Sequence, residues 1–184
     1  MVRTAILRVK PSPPHDPTAA GEHDGVVQAL RQVLKGGPFV EVDYQQVPDE
    51  QALIRAKLRV WCDQGNIDLV LTTGGIGLGQ RDRTPEATAE VIERHVPGVP
   101  EALRAALRDD QPLAALYRSL AGVRRGTLIV NLPGTPGSAA KGLAAVVTAL
   151  AFAVEEIRGD ALAEGSKPSA VGLEPSGNGL RPPT

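Results

Sequence analysis

Two short apolar runs restrict what this chain can become. Ile67–Leu71 (IDLVL) and Thr127–Val130 (TLIV) are apolar almost throughout, without the alternation of a strand that has one wet face. Central strands covered on both sides by helices read this way. Each run leads into backbone rich in glycine or proline and then into a helical pattern: TTGGIGLGQRDRTPEAT over 72–88 and NLPGTPGSAAKG over 131–142. Helical spacing also recurs earlier. Asp24 opens a helix with Val26, Leu30, Val33 and Leu34 on one face, ended by Gly36 and Gly37, and Pro48-Asp49-Glu50 starts a second with Leu53, Ile54, Leu58, Trp61 and Cys62 on one stripe. Strands alternating with helices predict an α/β fold, a three-layer sandwich with a mostly parallel central sheet and helices on both faces. In such folds ligands gather beyond the carboxyl ends of the strands, where both Gly/Pro-rich segments fall.

The rest of the chain fits around that frame. Thr4–Val9 reads as a first strand, and Lys10 to Glu22 as a loop rich in Pro, His, Asp and Gly. Phe39–Val47 alternates at Val40, Val42 and Tyr44, a strand with one wet face. Thr84 is the expected N-cap of a helix with Pro85 in its first turn and Glu86 near its positive end, running to about His95. Pro100–Arg108 and Pro112–Leu120 read as helical pieces, and an Ala/Val-rich helix runs to about Ile157. From Gly159 the chain is rich in Gly, Pro and Ser without apolar periodicity, so one domain is expected over 1–158 and a flexible tail over 159–184.

Composition narrows the function. The 184 residues suffice for one full domain, and 42% apolar with 22% charged residues is a globular balance. A net charge of −1 disfavours a general nucleic-acid binder. Cys62 is the only cysteine, which excludes an intrachain disulfide and a thiol-rich metal site. His15, His23 and His95 lack ligand spacing, and no nucleophile elbow or HExxH occurs, against hydrolytic triads and zinc chemistry. The start, MVRTAILRVKPSPPHDP, has no signal-peptide core, and no apolar run suits a membrane span; the cytoplasm is expected.

The glycine loop matches neither G-x-G-x-x-G nor a Gly-Lys-Ser/Thr P-loop. Its glycines still admit an anion close to backbone N–H groups beside a helix N-terminus, with Thr72 and Thr73 adding hydroxyls; a ligand-free turn is the plainer alternative. Asp82, between Arg81 and Arg83, is either a solvated ion pair or a carboxylate that positions Mg²⁺ while cations hold phosphates. Asp49 is either a helix cap or a second acid on the same rim. Asn131 to Ser138 is a proline-stiffened turn, a rigid connection or a second anion cradle.

Taken together, VPDE (47–50), LVLTTGGIG…RDRTPEAT (69–88) and LAGVRRGTLIVNLPGTP (120–136) resemble the molybdenum-cofactor biosynthesis family of MogA, MoaB and the gephyrin G domain, over roughly Thr4 to Ile157. VPDE is more similar to the MogA and gephyrin branch. The resemblance implies a molybdopterin adenylyltransferase that uses Mg²⁺ and ATP, commonly a homotrimer, with a molybdenum insertase of the same pathway as a further partner. A molybdopterin-binding protein of the MoaB type without turnover is the alternative. By the same resemblance Asp49 and Asp82 are the essential acids and Mg²⁺ ligands. Thr72, Thr73, Gly74, Gly75, Gly77, Arg81, Thr84, Asn131, Pro133, Gly134, Thr135, Pro136 and Ser138 line the pterin-phosphate and nucleotide site. The sequence departs from the family pattern at three places. Val9-Lys10-Pro11-Ser12-Pro13 stands where a Ser-Asp-Arg or Ser-Asp-Lys segment is usual, although Gly21, Glu22 and Asp24 recur. Ile76 replaces a threonine, and Thr135 and Gly137 replace Ser or Gln and Lys.

Overall fold

The computed structural model describes residues 1–11 and 25–159. The expectations for Gly21, Glu22, Asp24, His15, His23, most of the Lys10–Glu22 loop and the segment beyond Gly159 lie outside the described residues.

The described chain runs β1 (Val2–Lys10), α1 (Gly25–Leu34), β2 (Phe39–Pro48), α2 (Gln51–Asp63), β3 (Leu69–Thr73), α3 (Thr84–Ala89), β4 (Arg94–His95), α4 (Gly98–Leu107), a 3-10 turn (Pro112–Leu116), β5 (Ala121–Arg124), β6 (Thr127–Leu132) and α5 (Pro136–Arg158). The strands form one sheet of order β2-β1-β3-β6-β5-β4. The first four are mutually parallel, and β5 and β4 continue antiparallel at the far edge. Helices α1, α4 and α5 pack on one face around Ile6, Leu71 and Val130; α2 and α3 cover the other around Leu7, Val70 and Ile129. The alternate residues of each central strand thus enter opposite cores, which is why those strands are apolar throughout. The three-layer sandwich stands as expected from the sequence.

Several boundaries differ for physical reasons. Strands β3 and β6 each run two residues past the expected ends, so Thr72, Thr73, Asn131 and Leu132 belong to the ladder. The helix from Thr84 stops at Ala89 rather than near His95, because the next residues hydrogen-bond to the β5 edge: Glu93 N–H donates to Val123 O and Val96 N–H to Ala121 O. His95 is a strand residue. Thr84 is not the N-cap; that position is Arg83, and the Thr84 hydroxyl donates to Gly74 O instead. Pro112–Leu120 holds only the 3-10 turn. In β2, Val40 and Val42 are exposed at 38% and 47%, so the alternation does not mark a buried face on this edge strand; its register on β1 shifts between Thr4 and Ala5. Leu53 is also exposed, while Ile54, Leu58, Trp61 and Cys62 form the buried stripe of α2. Burial pushes the Cys62 thiol up to about 11 despite a hydrogen bond with Thr127, as suits a core thiol.

By length and composition, α5 is the one described helix that could cross a bilayer. Here its apolar residues Ala139, Leu143, Val146, Leu150 and Val154 lie in the core. Its far end is clasped to the amino-terminal edge of the sheet. Asp68, 3% exposed, accepts hydrogen bonds from the Arg3 and Arg158 guanidinium groups and from Arg3 N–H. Burial alone would raise the Asp68 pKa, but the Arg3 and Arg158 bonds outweigh it and hold it at about 2. A carboxylate depressed in the folded state stabilises the protein above its unfolded pKa of about 3.9, and that contribution fades as pH falls towards 2. Asp68→Asn is expected to lose about 1–3 kcal/mol at pH 7, the usual range for a hydrogen bond to a charged group. Its deficit should shrink between pH 4 and 2. Urea unfolding at pH 7 and pH 3 checks this, and a pH-independent deficit would contradict it.

Candidate functional site

The parallel strands bring three loops to one rim. In register, Arg8 of β1 lies beside Thr73, Thr73 beside Leu132, and Lys10 beside Pro48. The segments that follow β2, β3 and β6 therefore open side by side at the carboxyl edge. From β1 the chain crosses to β2 on one side, whereas β3 and β6 lie on the other. The crevice beyond such a switch point is where this class of fold binds ligands.

The loop after β3 is held by its own backbone. Gly74 and Gly75 have φ of +100° and +67°. A Cβ on Gly74 would stand 2.5 Å from Val9 O, and one on Gly75 2.5 Å from the Thr84 hydroxyl. Glycine is required there by both conformation and space. Thr84 N–H donates to Gly75 O at 3.1 Å and the Thr84 hydroxyl to Gly74 O at 2.8 Å, closing the loop onto the start of α3.

Asp82 is turned into this loop. Its Oδ2 accepts Gly79 N–H at 2.9 Å, and the carboxylate lies against the α-carbons of Gly77 and Gly79. Arg83 Nε donates to Gln80 O, and Arg81 and Arg83 are exposed. Asp49 follows the end of β2 without capping α2; the cap position is Glu50, whose side chain caps nothing. The β2 and β3 ends flank β1, two strand spacings or roughly 10 Å apart. Among the described residues, no three His, Cys, Asp or Glu side chains gather as a metal cluster.

Other expected site residues brace the mouth through their side chains. Asn131, fully buried, donates from Nδ2 to the hydroxyls of Thr72 and Thr88, both at 2.9 Å, and accepts Leu120 N–H at Oδ1. The Thr73 hydroxyl donates to Pro133 O at 2.6 Å. Ser138, 1% exposed, donates to Gln111 Oε1 at 2.7 Å and shares a hydrogen bond with the Thr135 hydroxyl. The side chains of Thr72, Thr73, Thr84, Asn131 and Ser138 thus hold the shape of the rim, while Gly75, Gly77, Gly134, Thr135 and Pro136 are at least partly exposed on it. Ile76, which stands where the family pattern has a threonine, is buried at 3% exposure.

Arg118 is a further residue that braces this loop. It lies between the 3-10 turn and β5, where nothing in YRSL marks it. Its backbone N–H donates to Ile76 O at 2.9 Å and its Nε to Gly77 O at 2.6 Å, while its remaining nitrogens reach Asp82 O and the Glu86 carboxylate. Burial raises the Glu86 pKa, but the Arg118 hydrogen bond wins and the net shift is downward. One guanidinium fork thus spans the loop from Gly77 to Glu86. Arg118→Ala is expected to lower turnover about tenfold or more and cost about 1–3 kcal/mol. Arg118→Lys should recover little, because an ammonium cannot span the same acceptors. Initial rates and urea midpoints measure both; a fully active Ala variant would leave the clamp without function.

The model of a probable molybdopterin binding domain matches residues 18–152. A molybdopterin adenylyltransferase of Helicobacter pylori J99 is 43% identical over 121 residues, 66% of this chain and 69% of that protein. The Escherichia coli K12 molybdopterin adenylyltransferase is 42% identical over 118 residues, 62% of this chain and 60% of that protein. The crystal structure of the molybdopterin biosynthesis enzyme MoaB from Thermus thermophilus superposes with a TM-score of 0.78 at 45% identity, covering 86% of this chain and 98% of that one.

Proposed function

We infer that this chain, which belongs to the molybdopterin-binding domain family, is a molybdopterin adenylyltransferase. Identity of 42–43% to two enzymes of that name supports the reading, as does the side-by-side opening of the segments that follow β2, β3 and β6, which carry Asp49, the Gly74–Asp82 loop and the Leu132–Pro136 turn. In the reaction, a phosphate oxygen of molybdopterin attacks the α-phosphorus of ATP, the bond to the bridging oxygen breaks, and pyrophosphate departs. The attacking oxygen is already ionised at neutral pH, so the site needs no strong general base. Its task is to align two polyanions and offset their repulsion. Backbone N–H groups of a glycine loop, a helix N-terminus and arginines are suited to that.

On the same reading Asp49 and Asp82 would hold Mg²⁺. Two carboxylates fit an ion that takes few protein oxygens and completes its shell with water and phosphate. Asp82 engages one oxygen with Gly79 N–H, a bond that orients the carboxylate. When bound, Mg²⁺ would neutralise the triphosphate and ease pyrophosphate loss. The reading further includes ATP as the adenylyl donor, a homotrimer, a molybdenum insertase as recipient of the product, and a cytoplasmic setting.

An adenylylation assay with molybdopterin, ATP and Mg²⁺ tests it. Formation of the adenylylated pterin and pyrophosphate is expected, with loss of both in Asp49→Ala. Pterin binding without product would instead make this a binding protein of the MoaB type.

A further inference from the structure

We propose that Thr135 is a specificity-determining residue whose hydroxyl accepts an N–H of a ligand's ring and does not hold a phosphate, an inference that rests on the transferase reading above. Thr135 is the N-cap of α5, in extended backbone with φ −109° and ψ 147°, and it is exposed on the rim. A threonine there ordinarily turns its hydroxyl oxygen back to accept an N–H of the first helical turn. Here the side chain makes no such bond. Its hydroxyl meets Ser138 Oγ at 2.7 Å instead.

Counting hydrogens fixes the direction of that bond. A hydroxyl has one hydrogen to donate and two lone pairs. Ser138 Oγ donates its hydrogen to Gln111 Oε1 at 2.7 Å, and the Tyr117 hydroxyl donates to the same oxygen at 3.2 Å. These two hydroxyls fill both lone pairs of the amide oxygen. Gln111 is itself held by its backbone: its N–H donates to Leu107 O at 2.9 Å, and its carbonyl accepts Ala114 N–H at 2.8 Å. With its hydrogen committed, Ser138 Oγ can only accept from Thr135. The Thr135 hydrogen therefore points inward, and lone pairs are what the hydroxyl turns to the rim. An ionised phosphate oxygen is also an acceptor, so the two repel. The groups on the two substrates that match are N–H donors of the rings, the exocyclic amine of adenine or the amine and lactam N–H of the pterin. The backbone N–H groups of the first turn of α5 lack partners within the helix and set donors beside this acceptor, a mixed edge that a heterocycle complements. The competing order turns the Gln111 carboxamide end for end. Its nitrogen then donates to Ser138, Ser138 to Thr135, and Thr135 to a phosphate.

Titration of wild type, Thr135→Val and Thr135→Ser with molybdopterin and, separately, with Mg²⁺-ATP decides between them when the ³¹P resonances of each bound ligand are recorded as well. In Thr135→Val the dissociation constant of one ligand should rise about three- to tenfold, as for loss of one neutral hydrogen bond, while the bound ³¹P resonances of that ligand stay at their wild-type positions. Thr135→Ser keeps the hydroxyl and should bind both ligands within about twofold of wild type. The ligand affected tells whether adenine or the pterin supplies the hydrogen. A weakened ligand whose bound ³¹P resonances move would put the hydroxyl on a phosphate and overturn the proposal. Thr135→Val affinities within about twofold of wild type for both ligands would overturn it too. Either result leaves the transferase reading standing. Wild-type protein that binds neither ligand would overturn both. Thr135→Val gives up no helix-cap bond; should it nevertheless fail to fold, Thr135→Ala carries the same measurements with the same outcomes.

Discussion

Asp82→Asn is expected to slow adenylyl transfer by about two to three orders of magnitude, the scale of losing one preorganised electrostatic contact in a phosphoryl site. The fold should survive. The amide oxygen of asparagine can accept Gly79 N–H as Oδ2 does at 2.9 Å, and the side chain fits the same space against Gly77 and Gly79. What disappears is the negative charge. Asp82→Ala removes the acceptor as well, so it should combine the same kinetic loss with a looser loop and about 1 kcal/mol of lost stability. Single-turnover rates beside urea unfolding separate the two contributions. An Asn variant with near wild-type rates would reduce Asp82 to a turn-forming residue; an Asn variant that unfolds would show the charge to be structural.

Gly74→Ala should be the most damaging single methyl group in the described chain. At φ +100° an alanine is strained, and its Cβ would stand 2.5 Å from Val9 O. That oxygen is backbone of a central strand paired on both sides, so it cannot yield without parting β1 from its neighbours. A loss of about 3 kcal/mol or more is expected, within the range of the severe backbone mechanisms, together with loss of ligand binding at the rim. Gly36→Ala supplies the control. Gly36 also has positive φ, +84°, but nothing lies within 4 Å of its added Cβ, so it should cost only about 1–2 kcal/mol. Equal losses at the two positions would show that the close approach of β1 to the loop carries no weight.

Much of this is legible in the sequence. Ile67–Leu71 and Thr127–Val130 announce central strands because burial on both faces removes the need for alternation. Gly74 and Gly75 announce a tight, strained connection because no other residue enters that backbone region at small cost. Edges were harder to read. The two-residue β4 and the four-residue β5 carry no periodic signal, and they exist because β6 offers an unsatisfied edge. Val40 and Val42 alternate as a half-buried strand should, yet both are exposed on the outermost β2.

What the sequence by itself determined was the layered α/β fold and the placing of two Gly/Pro-rich segments at the carboxyl ends of its central strands, since periodicity and turn chemistry are local properties that neighbours in the chain reveal. Only the tertiary structure decided which polar side chains face that rim and which are locked inside it. Thr72 and Asn131 stand in motifs that look like ligand donors, but strand pairing and the packing of α3 bury them against each other and Thr88. Arg118 and Arg8 stand in stretches that mark nothing, 36 residues beyond Asp82 and 65 residues before Thr73. A parallel sheet brings residues so far apart to a few ångströms, and the hydrogen bonds that then form depend on a register no local pattern encodes.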